Sequence, residues 1–225
     1  IAATTITFNP GETTKNVSVT ILGDLTDEEN ETLNLNLTNL VNVAIGDAQG
    51  VGTITDNDAE ASLSIDDVTV TEGNSGSTNA TFTVTLTPVS GKTVTVNYAT
   101  ANNVATSSND YTAVANTLTF SPGVTTQTIT VPVLGDVLDE TDETYFVNLS
   151  TAVNATVSDG QGTGTITDDD LPPLVTLSVS PATIAENDVP ETSTITATLS
   201  VASAKTVTVT IAASSLNALE GSDYS

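Results

Sequence analysis

Carboxylates are the side chains whose numbers and spacing in this sequence could do chemistry, and they return at fixed places. Glu72 follows the apolar pair Val68 and Val70, and Asp110 stands within Asn109-Asp110-Tyr111. A run from Gly135 to Glu143 carries Asp136, Asp139, Glu140, Asp142 and Glu143, and Asp168-Asp169-Asp170 closes the series. Corresponding places elsewhere hold Glu186 and Asp223, then Asp24, Asp27, Glu28 and Glu31, then Asp56 and Asp58. Several carboxylates in adjoining loops repel one another unless a cation lies between them. An all-oxygen donor set without imidazole or thiolate selects a hard ion. Calcium accepts roughly six to eight oxygens in flexible geometry, which irregular loops supply more readily than the strict octahedron of magnesium. Ca2+ is therefore the expected ligand.

The acids recur because the chain repeats. Residues 5–58 and 117–170 align position for position without a gap, and the segment Ser62 to Ala99 has a second copy between Thr176 and Ala212. The markers of that second match are Glu72 with Glu186, Leu86 with Leu199, and Lys92-Thr93-Val94 with Lys205-Thr206-Val207. Ser225 written directly before Ile1 would continue the pattern of Asp110-Tyr111-Thr112 and the residues after it. The expected organisation is thus a complete domain over 59–170, preceded by the C-terminal half of a domain over 1–58 and followed by an N-terminal half over 171–225. The chain reads as a window of about two periods from a longer array.

Asp and Glu total 28 against three basic residues, a formal net charge of −25. Such a chain repels nucleic acid and anionic membrane surfaces, which excludes both as partners. Acidity of this degree serves either solubility in a salty exterior or the assembly of cation sites. Repetition of the same acids in the same loops favours the second reading. No Cys or His is present, so disulfides, thiolate chemistry and imidazole bases are absent. No apolar run is long enough to cross a bilayer.

The elements that must position these acids are strands. Val94, Val96 and Tyr98 alternate with polar residues, as do Ile129, Val131 and Val133, then Val207, Val209 and Ile211, and Val17, Val19 and Ile21. Period-two alternation marks half-buried strands, and Thr- and Val-rich composition favours them. Pro10-Gly11 and Pro122-Gly123 mark turns, and no segment carries a helical stripe. Each period holds roughly seven strands, enough for an antiparallel, immunoglobulin-like β-sandwich. The acids fall in the loops between them.

Other motifs carry less. Gly50-Val51-Gly52 and Gly162-Thr163-Gly164 lead into strands rather than helices, which argues against a phosphate loop. Asn16, Asn30, Asn36, Asn79, Asn148 and Asn154 lie in N-x-S/T sequons, which arise readily by chance in so Thr- and Asn-rich a chain. Paired carboxylates serve glycosidases, but few aromatics are present to stack a sugar and no His, Cys or Arg is present to assist. No enzyme is expected.

The ordered set E-G-N, N-D-Y or S-D-Y, G-D-x-x-x-E-x-x-E, and G-x-G-T-I-T-D-x-D resembles the Calx-beta domain. This calcium-binding β-sandwich occurs in sodium–calcium exchangers, integrin β4 and large bacterial surface proteins. The resemblance spans the whole chain. It implies calcium ligands at Glu72, Asp110, Asp136, Glu140, Glu143, Asp168, Asp169 and Asp170. In the leading half it implies Asp24, Glu28, Glu31, Asp56 and Asp58, and in the trailing half Glu186 and Asp223. Strong calcium binders of the family carry an acid where this chain has Gly135 and Gly23, and Asn57 interrupts the first terminal triplet, so fewer ions or weaker binding is expected. The implied role is a calcium-stiffened structural repeat of an extracellular or cell-surface rod, filament or adhesin. Its partners would be neighbouring copies of the repeat, in cis or in trans, and a surface or matrix ligand. Without the ion, repulsion would loosen the joint. The alternatives are a regulatory calcium-sensor pair attached to a transporter or enzyme, and a filament subunit whose half-domains complete one another between chains.

Overall fold

The computed structural model describes residues 3–185, 191–212 and 214. Among these residues the chain forms strands and no helix. The leading segment contributes a hairpin, β1 (Glu31–Asn36) and β2 (Gln49–Ile54). The central segment runs through β3 (Ser62–Ile65), β4 (Val68–Thr71), β5 (Gly76–Thr87), β6 (Val94–Asn102) and β7 (Ala115–Phe120). It continues through β8 (Thr126–Gly135), β9 (Glu143–Val153), β10 (Thr156–Val157) and β11 (Gln161–Thr167). A second hairpin, β12 (Val175–Ser180) and β13 (Thr194–Leu199), follows.

The central strands form two sheets, ordered β10-β3-β5-β8 and β4-β11-β9-β6-β7. Alternation builds their facing surfaces. In β5, Ala80, Phe82, Val84 and Leu86 are buried while Thr81 and Thr87 are exposed, and in β8 Ile129, Val131 and Val133 turn inward. Phe82 packs edge-on to Tyr145, and Tyr145 stacks on Tyr111 with ring centroids 4.5 Å apart. Each fully buried side chain of this size contributes about 1.5–3 kcal/mol. The two rings add the preferred geometry of an aromatic cluster.

Among the named strands, pairing departs from antiparallel at two places, β3 with β10 and β4 with β11, both parallel. One edge run causes both, because it changes sheets between Ile65 and Val68. Two carboxylates fix the crossing: Asp66 Oδ1 accepts the Thr83 N–H at 2.7 Å and Asp67 Oδ1 accepts the Thr163 N–H at 2.7 Å. Counting β3 and β4 as one interrupted strand and β10 as a two-residue return, the central sandwich keeps the expected seven-strand plan.

Among the described residues the buried apolar core is confined to the central segment, from Ala61 to Ile166. Phe120 is fully buried, whereas its repeat counterpart Phe8 is 50% exposed. Leu63 is fully buried, whereas its counterpart Leu177 is 54% exposed. Among the described residues each flanking segment forms a single hairpin. The alternating runs Val17, Val19, Ile21 and Val207, Val209, Ile211, expected as strands, lie outside strands, with Val17, Ile21, Val207, Val209 and Ile211 exposed. In the central segment the equivalent strands β8 and β6 pair with β5 and with β7 and β9, whose counterparts lie in the opposite flanking segment.

Candidate metal centre

Parallel pairing of β4 with β11 creates the centre of the site. Thr71 lies opposite Thr167, so the two strands end side by side, with Glu72 leaving one and Asp168-Asp169-Asp170 leaving the other. Carboxylate oxygens of Glu72, Asp168 and Asp170 all lie within 4.8 Å of one another. Glu72 is only 4% exposed. Asp170 Oδ1 accepts the Asn74 side-chain N–H at 2.5 Å, while its buried Oδ2 has no hydrogen-bond partner. A buried carboxylate oxygen without a donor is costly unless a cation approaches it.

The remaining acids surround this trio. Asp110 Oδ2 accepts the Thr106 N–H at 2.6 Å, and its carbonyl accepts the Leu134 N–H at 2.9 Å, holding the β6–β7 loop against the end of β8. Asp136 Oδ1 accepts the Leu138 N–H at 2.7 Å, which turns the chain after β8. Glu143 opens β9.

The electrostatics join these groups. Burial first, then the charges of Asp136, Glu140, Asp168 and Asp170, push the Glu72 carboxyl up to about 7. Burial followed by Asp136, Asp110, Asp168 and Asp170 raises Glu140. Burial followed by Asp110 and Glu140 raises Glu143. Each of these three shifts opposes ionisation, as expected of buried, clustered carboxylates. A divalent cation would reverse it.

Asp169 behaves differently from the other expected ligands. Its Oδ1 accepts the Gly73 N–H at 3.0 Å, and the residue is exposed. The acid at this place ties the strand end to the turn after Glu72 and lies outside the close trio. Asn57, its counterpart in the leading segment, retains a carbonyl oxygen able to accept the same kind of bond. The interrupted triplet therefore need not remove an essential ligand.

In the leading segment, Asp24, Glu28, Glu31, Asp56 and Asp58 line one cleft. The Asp24 charge is the largest influence raising Glu28, and burial followed by Asp56 and Asp24 raises Asp58. Local supports recur as well. Asp24 Oδ1 accepts the Thr26 N–H at 2.8 Å as Asp136 does in its own loop, and Asn30 holds the Asp56 N–H as Asp142 holds that of Asp168. Glu186 and Asp223 lie outside the described residues.

Gly135 has a structural cause. It pairs with Gly76 across β5 and β8, and a Cβ there would fall on the Gly73 carbonyl oxygen. Backbone occupies the space that an acid would need. Nothing lies within 4 Å of the corresponding position on Gly23.

A second set of functional side chains escaped the reading of the acidic runs. Lys92 Nζ lies 2.7 Å from Asp27 Oδ1, and Lys205 Nζ lies 2.5 Å from Asp139 Oδ1 and 3.4 Å from Asp168 Oδ2. Asp27 and Asp139 are 4% and 5% exposed. Lys205, foremost, holds Asp139 below the usual carboxylate range, and Asp139 raises Lys205 in return. Asp27 likewise is the foremost cause raising Lys92. The available signal was the appearance of both lysines at the same place in the repeat.

The strand order, the loop-end acids and their repetition define a tandem cation-binding β-sandwich. The chain belongs to the Calx-beta family: the family model described as Calx-beta domain matches residues 2–60 and 55–170. Among solved structures, CBD12 from CALX1.2 is 23% identical with a TM-score of 0.45, over 48% of this chain and 46% of that one. The apo-form Calx CBD1 domain is 23% identical with a TM-score of 0.44, over 50% of this chain and 100% of that one. The Calx CBD2 domain is 16% identical with a TM-score of 0.42, over 48% and 86%. The chain spans about half the length of the CBD12 structure it matches. No curated protein matches it. Ca2+ is the ion of the Calx-beta family, and the all-oxygen donor set with its partnerless Asp170 oxygen fits that ion.

Proposed function

We propose that the chain is a calcium-binding structural repeat of an extracellular rod, filament or adhesin. In this reading 59–170 is one complete domain, and 1–58 and 171–225 are the adjoining halves of its neighbours. The observation that carries the reading is the convergence of Glu72, Asp168 and Asp170 around a buried oxygen that lacks a donor, immediately before Leu171-Pro172-Pro173. Glu72, Asp168 and Asp170 would hold the ion, with Asp110 from the β6–β7 loop and Asp136, Glu140 and Glu143 from the β8–β9 connection supplying charge and further oxygens. A bound cation supplies positive charge that relieves the mutual repulsion of these acids.

The chain's own residues determine what that relief achieves. Glu72 fixes the turn after β4, Asp168 to Asp170 fix the exit from β11, and Asp110 fixes the β6–β7 loop. Calcium shared among them stiffens the loops and the start of the link to the following segment. Repetition of the same acids in the leading segment extends the arrangement along an array, which supports a structural role over a single sensor pair. The reading is tested by melting the chain with calcium and with chelator. A higher melting temperature in calcium is expected, because an ion that binds only the folded state stabilises it by mass action. An unchanged melting temperature would overturn it.

A further inference from the structure

The two lysine–aspartate pairs are the visible parts of a larger construction. Asp27 forms a parallel bridge with Ser90, and Asp139 forms the same bridge with Ser203. At the first place, the Asp27 carbonyl accepts the Gly91 N–H at 3.0 Å and the Ser90 hydroxyl at 3.4 Å. At the second, the Asp139 carbonyl accepts the Ala204 N–H at 3.1 Å and the Ser203 hydroxyl at 3.2 Å. The serine oxygen then accepts the backbone N–H of Lys92 or Lys205, at 3.1 Å in both cases. Each lysine closes the figure on the aspartate side chain. Two of the three basic residues in the chain are used in this way.

We propose that Asp27/Asp139 and the Ser-x-Lys segments 90–92 and 203–205 form a pairing surface that docks each repeat onto the next in one orientation. The central segment carries both parts: Ser90 and Lys92 face the preceding segment, and Asp139 faces the following one. A unit with complementary parts at its two ends propagates head to tail. The partner that fits the buried Asp139 turn is therefore a following copy of the repeat bearing Ser-x-Lys. The backbone contacts set the register, and the charge pair makes a mismatched neighbour unfavourable, since an unpaired buried carboxylate would remain. These contacts are made by backbone, serine, aspartate and lysine groups of the chain itself, and Lys205 also reaches Asp168 Oδ2 at 3.4 Å, which sets the second pair beside the metal centre. The inference rests on the tandem-repeat reading above but assigns the orientation of the joint to Asp27/Asp139 and Ser-x-Lys, with Asp168 touched by both the second pair and the metal centre.

The chain has no cysteine, which permits clean labelling of its full length. Spin labels at Thr128→Cys on β8 and Thr196→Cys on β13, both exposed, report the distance between the central and trailing segments. In saturating calcium the parent is expected to give one narrow distance. Lys205→Met and, independently, Asp139→Asn are expected to lose it and give a broad distribution, while the central segment melts as in the parent. A narrow distance in both variants, or a broad one in the parent, would overturn the pairing surface. Calcium titration of the same samples keeps this result separate from failure of the calcium reading, which would appear as absent binding whatever the distances.

Discussion

Gly135 and Gly73 meet backbone to backbone: a Cβ added to Gly135 would fall on the Gly73 carbonyl oxygen and 2.8 Å from that of Glu72. The Gly135 position of this chain is closed to an acid by packing, whatever the demand for calcium ligands. Gly135→Asp should therefore destabilise the domain by about 1–3 kcal/mol and lower calcium affinity by displacing the turn that carries Glu72. Gly23→Asp, with nothing within 4 Å of its added atom, should be much milder. Denaturant unfolding and calcium titration of the two variants check this contrast.

Glu72 gives the calcium-free domain a defined pH response. Its carboxyl is raised from an ordinary 4.5 to about 7, so the folded state holds this proton more tightly than the unfolded chain does. Stability from this group is fully present below about pH 4.5 and is lost as pH rises through about 7. In chelator, the melting temperature should fall between those values. Glu72→Gln should flatten the profile. In calcium the slope should diminish or reverse, because the ion displaces the proton.

The terminal triplet divides into unequal members. Asp168→Asn and Asp170→Asn should each weaken calcium binding by at least about tenfold, equivalent to 1.4 kcal/mol. Asp169→Asn should have little effect, since an amide oxygen can still accept the Gly73 N–H. Calorimetric titration of the three variants separates these outcomes.

Tyr145 is packed against Tyr111 and Phe82, yet its hydroxyl is buried without a partner. Tyr145→Phe keeps the ring contacts and removes the unsatisfied group. The domain should become more stable by up to about 1 kcal/mol, read as a higher melting temperature. Loss of stability would show that the hydroxyl has a partner in solution.

Much of the fold was legible because it depends on local alternation. Val94 and Val96, or Ile129, Val131 and Val133, declare their buried face in the central segment. The same alternation at Val17 and Ile21 or Val207 and Val209 leaves exposed side chains outside any strand, because alternation marks a face but does not supply the pairing strands. The acid-bearing loop ends were legible for the same reason, since Glu72 and Asp168 to Asp170 each terminate a recognisable strand. Pairing was harder to read. The sheet change at Asp66 and Asp67 depends on bonds to Thr83 and Thr163, far along the chain. The turn of Asp169 toward Gly73 depends on the parallel register of β4 with β11. Asp27 and Asp139 were hidden by composition, being acids among acids, and only the distant lysines distinguish them. Gly135 stood out as a missing acid, but its cause lay in a backbone approach that no spacing reveals.

The central claim is that calcium joins Glu72, Asp168 and Asp170 and stabilises the sandwich. The most direct measurement is calorimetric titration of the chelator-stripped full chain with calcium alone, beside the double variant Glu72→Gln, Asp170→Asn. Saturable binding in the parent that loses its tightest component in the variant is the predicted result. Absence of binding in the parent, or identical titrations for both proteins, would contradict the account.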